Sequence, residues 1–68
     1  MPKRIPSSEF IAILASHGFE FVSNRGSHAK YRDSSGHTVI IPHPRKDIPV
    51  GTLRSMIRQS GLPKELFD

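Results

Sequence analysis

A chain of 68 residues without a single cysteine must fold by packing alone. A chain of this length buries only about 60% of its unfolded surface when it folds, so it supports one small hydrophobic core. The absence of cysteine excludes both a disulfide framework and a thiolate metal site as reinforcement for that core. We therefore expect a single domain that spans residues 1–68.

The charge balance narrows the range of partners. Ten Lys and Arg against six Asp and Glu give a formal net charge of +4. Such an excess favours polyanions, with nucleic acid as the leading candidate. Residues 1–6 are basic, but no apolar stretch of signal-peptide length follows them, and no segment approaches the roughly 18 apolar residues of a membrane span. We expect a cytoplasmic chain.

The first third of the chain has the periodicity of a helix followed by a strand. Apolar side chains at helical spacing predict a helix over residues 8–17, with Ser7 or Ser8 as its N-cap. Phenylalanines then alternate with Glu20, which is typical of a half-buried strand over residues 19–25.

Two more strands and a second helix are predicted downstream. Strands over residues 28–32 and 37–41 are joined by a hairpin loop, and Pro42 ends the second of them. A loop exposing Arg45 and Lys46 leads to a helix that starts at Gly51 or Thr52 and stops before Gly61. The last apolar residues should fold back onto the core as a short turn; they are Leu62, Leu66 and Phe67.

The order α-β-β-β-α predicts an α+β fold. A three-stranded antiparallel sheet with both helices on one face is the economical arrangement, because alternating strands need cover on one side only. This architecture is that of double-stranded-RNA-binding domains. It makes RNA a plausible ligand, although a fold does not by itself fix a function.

Most catalytic classes lack the residues that they need. The acidic residues are scattered, without Asp-x-Asp or His-Glu-x-x-His spacing, so a two-metal nuclease site has little to build on. Glycine-rich phosphate loops and serine nucleophile elbows are also missing from the sequence. We expect neither a metal nor another cofactor.

Three of the four histidines have structural interpretations. His17 falls on the apolar face of the first helix near its C-terminus, where the helix dipole stabilises a packed histidine. His37 opens a strand beside a loop and should be solvated. His43, between two prolines, is interpreted as a residue that fixes the loop or as a phosphate contact, with the structural role preferred.

His28 is the candidate for chemistry. It follows Gly26 and Ser27 at a strand edge, with Arg25 and Lys30 close by. Nearby cations disfavour the protonated imidazole, so His28 could accept a proton near pH 7 and act as a base. The alternative is an exposed strand histidine in a basic surface patch.

Several motifs stand in a characteristic order along the chain: Arg25-Gly26-Ser27-His28, Tyr31, Val39-Ile40-Ile41-Pro42, Gly51-Thr52-Leu53-Arg54 and Gln59-Ser60-Gly61-Leu62. With a histidine shortly after the proline, they resemble the HicA toxin family over residues 8–67. Gly-Ser-His alone is a weak signal, but this combination is specific. Many relatives have a residue between the proline and that histidine, whereas here Pro42 and His43 are adjacent.

The resemblance implies a double-stranded-RNA-binding-like fold, metal-independent cleavage of mRNA, and neutralisation by a HicB-type antitoxin. It maps the family's catalytic histidine onto His28, and we expect the free toxin to be a monomer. A general acid is not identified; Tyr31, Lys30 and a water molecule stay open. The expected substrate-binding residues are Arg25, Gly26, Ser27, Lys30, Tyr31, Arg45 and Lys46.

Two other functions fit the same charge and fold. One is a non-catalytic RNA-binding module, for which basic charge and this architecture suffice. The other is a basic protein-interaction domain that meets an acidic partner.

Overall fold

The predicted order of elements is confirmed in the computed structural model, which describes residues 4–68. The basic start of the chain, residues 1–3, lies outside the described residues. None of the described helices is long and apolar enough to cross a membrane. The elements are α1 (Ser7–Ser16), β1 (Glu20–Arg25), β2 (His28–Arg32), β3 (Thr38–Pro42), α2 (Val50–Ser60) and a short 3-10 helix (Lys64–Phe67).

The strands form one antiparallel sheet in the order β1-β2-β3. A two-residue turn, Gly26-Ser27, joins β1 to β2 and sets Arg25 opposite His28. Gly26 has a φ of 55°, as the first central position of a type II′ turn requires. This turn therefore fixes the place of His28 at the beginning of β2.

Both helices cover one face of the sheet. The buried strand residues are Ala29, Val39 and Ile41, and the register places Ala29 beside Ile41 on the same face. Val39 and Ile41 pack in one hydrophobic cluster with residues of α1, α2 and the 3-10 helix. Side chains at the alternate positions of β2 and β3 therefore point to the opposite face, which no described element covers.

The expectation of a half-buried first strand is wrong. All six residues of β1 are exposed, and Phe21 keeps 58% of its surface accessible. Of the two phenylalanines in this alternating segment, the buried one is Phe19, which precedes the strand. The register shifts between Phe21 and Ser23, and α2 packs against β3 at the other edge of the sheet. The alternation in β1 thus spans a bulge on an uncovered edge strand.

The N-cap prediction for α1 is also wrong. The helix begins at Ser7 with Pro6 as its N-cap, and no side chain caps it. The Ser7 side chain is buried, and its hydroxyl is bonded to the loop after β3 instead. A tertiary contact has displaced the local one.

Pro42 closes β3 as a member of the strand, where the prediction ended the strand before it. The backbone N–H of His43 points to β2, because it donates to the carbonyl of Ser27 at 2.8 Å. Alternation along the strand turns the nitrogen of Pro42 away from β2, toward the outer edge. The missing N–H of proline therefore costs the ladder no bond.

The end of the chain follows the prediction in part. Phe67 is buried and stacks on Phe10 of α1, with 4.7 Å between the ring centroids. Leu62 is partly buried against the core. Leu66 is exposed, contrary to the prediction, because in the single turn Lys64–Phe67 it points away while its neighbour Phe67 points inward.

Gly61→Ala is expected to destabilise the fold. Gly61 ends α2 with a φ of 70°, and a Cβ there would lie 2.6 Å from Nε2 of His37. The left-handed conformation alone costs other residues about 1–2 kcal/mol, so urea denaturation should show a loss of at least that size. Gly51→Ala is the matched control, because a Cβ at Gly51 meets open space; it should stabilise the helix by up to about 1 kcal/mol. Equal effects of the two substitutions would contradict this explanation.

Candidate active site

The His28 side chain lies exposed on the uncovered face of the sheet. It is the first residue of β2, and its register partners are Arg25 on β1 and Pro42 on β3. Ala29, the next residue, is buried on the helix side. Alternation along the strand therefore points His28 and Lys30 to the same open face.

His28 lines an open depression with a volume of 510 Å³. The charged groups in its lining, Arg25 and Lys30, are both basic, and neither forms an ion pair within the described part of the chain. Such a depression presents positive charge that is free to meet an anion. Its full lining is Ser23, Asn24, Arg25, His28, Lys30 and Ile40.

Ser23, Asn24 and Ile40 were not predicted as site residues. Ile40 lies opposite Lys30 in the register and is 40% exposed between two buried neighbours, Val39 and Ile41. Ile40 could have been predicted from the sequence, because a hairpin between the second and third strands places it beside Lys30. Ser23 and Asn24 follow the β1 bulge, which the sequence did not indicate.

Tyr31 is not brought to the face of His28. It pairs with Val39 and packs against the hydrophobic core on the helix side. Its ring meets that of Phe21 edge-on, with 5.7 Å between the centroids. The predicted grouping of Tyr31 with His28 was based on closeness in sequence, whereas the sheet separates neighbours onto opposite faces.

Arg45 and Lys46 are exposed in the loop after β3, as predicted. Their loop lies at the same end of the sheet as His28, because the His43 N–H donates to the Ser27 carbonyl. The backbone N–H of Arg45 donates to the Ser7 hydroxyl at 2.9 Å, and its carbonyl accepts from the Ser7 N–H at 2.8 Å. The loop is therefore held against the start of α1.

The other histidines have structural partners. His17 is exposed at the C-cap of α1, not packed on its apolar face, because its ring bonds the Ile13 carbonyl at 2.9 Å. His43 is half-buried, and its Nδ1 lies 2.7 Å from the Ser7 hydroxyl. The structural role preferred for His43 therefore has a specific partner.

His37 is exposed, as expected, and its Nδ1 pairs with the Asp33 carboxylate at 2.9 Å. Partial burial raises the pKa of Asp33. Several interactions together lower this pKa by more than burial raises it. They are hydrogen bonds from the His37 side chain and backbone, attraction to the protonated His37 ring, and a hydrogen bond from the Ser35 N–H. The resulting pKa lies below its ordinary value of 3.8, and the ionised carboxylate organises the turn between β2 and β3.

Comparison with known proteins adds two findings. The family described as "HicA toxin of bacterial toxin-antitoxin" matches residues 7–62. A protein of Pseudomonas fluorescens (strain Pf0-1) named "Probable mRNA interferase HicA" is 36% identical over 55 residues, which cover 81% of this chain and 92% of that protein. The matched family region contains His28, the basic depression and the loop with Arg45 and Lys46.

Proposed function

The chain belongs to the HicA toxin family, and from this premise we propose that it is a toxin that cleaves mRNA with His28 as catalytic base. The observation that carries the proposal is the exposed imidazole of His28 in a depression whose charged groups are both basic. A base beside unpaired cations suits RNA transesterification, since the substrate supplies its own nucleophile.

In the proposed reaction, His28 removes the proton from a ribose 2′-hydroxyl. The 2′-oxygen attacks the adjacent phosphorus, the bond from phosphorus to the 5′-oxygen breaks, and a 2′,3′-cyclic phosphate forms. General-base catalysis contributes typically about 10²- to 10⁴-fold to such a rate. Arg25 and Lys30 would stabilise the additional negative charge on the phosphoryl oxygens in the transition state.

The departing 5′-oxygen must receive a proton. Of the candidates considered for this general acid, Tyr31 is on the other face of the sheet. Lys30 shares the depression with His28, and we propose Lys30 or a water molecule beside it as the donor. The RNA on either side of the cleaved bond would be held by residues at the same end of the sheet, namely Gly26, Ser27, Arg45 and Lys46.

One incubation separates this function from its two alternatives. Purified chain is mixed with end-labelled single-stranded RNA in the presence of a chelator. Fragments support the metal-independent nuclease. Retention of intact RNA indicates a non-catalytic binding module, and neither cleavage nor retention indicates a protein-interaction domain; both results contradict the proposal.

The proposed antitoxin is a HicB-type protein that covers the face of His28. An ordinary interface takes about 800 Å² from each partner, which is about a fifth of the 4301 Å² that this chain exposes. A partner attracted to the unpaired cations would therefore obstruct the depression without any conformational switch. An acidic contact surface would also accelerate association at low salt.

Hydrogen exchange of the free toxin and its complex tests this masking. We expect protection at residues 25–32 and around Arg45, and an association rate that falls as salt is raised. Protection confined to the outer sides of α1 and α2, with residues 25–32 still open, would contradict masking.

A further inference from the structure

We infer that His43 is a positioning residue for the active site: its bond to Ser7 holds the backbone that fixes the turn before His28. This inference rests on the proposed function of His28. It concerns a pair of side chains far apart in sequence, joined by a 2.7 Å hydrogen bond between the Ser7 hydroxyl and Nδ1 of His43.

The direction of this bond follows from the partners of Ser7. Its hydroxyl oxygen already accepts the Arg45 N–H at 2.9 Å, and Ser7 is 1% exposed, so bulk water does not reach the hydroxyl. The hydroxyl proton satisfies its bonding by pointing to His43. Nδ1 is then the acceptor, and the neutral ring carries its proton on Nε2.

The backbone of His43 connects this pair to the catalytic turn. Its N–H donates to the Ser27 carbonyl at 2.8 Å. At Pro42, the register partner of His28, the backbone nitrogen faces the outer edge of the sheet, so β3 donates no bond to β2 at that position. The hydrogen bond from the His43 N–H is therefore the one nearest to the Gly26-Ser27 turn among those that β3 and the residue after it donate to the β2 side.

His43 is not placed to act on the substrate beside His28. The two side chains point to opposite faces, because Pro42 shares the open face with His28 and the next residue, His43, reaches Ser7 on the helix side. The effect of His43 must pass through the backbone of Ser27. A displacement of a catalytic group by about 1 Å can lower the reaction rate by up to about 100-fold.

The test compares three replacements of His43 in an RNA-cleavage assay with purified full-length chain. The amide oxygen of asparagine takes roughly the place of Nδ1, whereas the amide of glutamine reaches roughly that of Nε2. We expect His43→Ala and His43→Gln to lower kcat by about 10- to 100-fold with little change in KM. His43→Asn should restore most of kcat.

A second readout does not depend on activity. Amide exchange at residues 26–28 should accelerate in His43→Ala and return toward the wild-type rate in His43→Asn. If His43→Ala fails to fold, the difference in kcat between His43→Asn and His43→Gln still tests the inference. His17→Ala is the matched control, since His17 is an exposed histidine bonded only within its own neighbourhood, and it should keep wild-type kcat.

Rescue by glutamine but not asparagine would overturn the inference in favour of direct contact through Nε2. Wild-type kcat in His43→Ala would overturn it as well. His28→Ala, measured in the same assay, separates the two proposals: activity in that variant refutes the proposed function, whereas an inactive His28→Ala beside a fully active His43→Ala refutes only the positioning role.

Discussion

His28→Ala is expected to slow RNA cleavage by about 10²- to 10⁴-fold, the usual contribution of a general base, and to abolish growth inhibition when the chain is expressed. The circular dichroism spectrum and thermal unfolding should barely change, because the His28 side chain is exposed and outside the hydrophobic cluster. Cleavage rates of the purified variant, with its unfolding curve, provide the measurement.

His17→Ala provides the control for this substitution as well. Ser7 of α1 lies at the end of the sheet that carries the catalytic turn, and the 10 residues of α1 extend about 15 Å from there. His17 therefore lies far from the depression and should be dispensable. A His28→Ala variant that remains as toxic as the parent would show that His28 is not the base.

Removing the nucleophile from the substrate should have an equally large effect. An RNA with a single 2′-deoxyribose at its cleavage position is expected to be resistant there, and the matching DNA should be resistant throughout, because the attacking oxygen is absent. Both should still bind, since phosphates supply most of the affinity of a basic surface. Cleavage of the substituted RNA at an unchanged rate and position would exclude attack by the 2′-hydroxyl.

The fold was predictable where the spacing of apolar residues in the sequence corresponds to a buried face in the structure. The second helix has Leu53, Met56 and Ile57 on its buried face, and it ends at Gly61 in the left-handed conformation, where the sequence predicted its end. The first strand was misjudged because a period of two does not distinguish a covered strand from an uncovered edge. Ser7 was misjudged because a tertiary bond to His43 competed with the local cap.

The site was predictable where neighbours in sequence share a face. Arg25, His28 and Lys30 meet in one depression because the turn and the alternation of β2 bring them together. Tyr31 is adjacent to Lys30 in sequence, yet the same alternation places it on the other side of the sheet. The contact between Ser7 and His43 spans 36 positions, and local patterns hold no information about such a pair.

The most direct experiment is mass spectrometry of the RNA ends left by the wild-type chain in chelator. His28 acting on the 2′-hydroxyl predicts an upstream fragment that ends in a 2′,3′-cyclic phosphate, or in the monophosphate formed when it opens, and a downstream fragment that begins with a free 5′-hydroxyl. A downstream fragment that begins with a 5′-phosphate would show that water attacked the phosphorus, and would contradict catalysis by His28 through the ribose oxygen.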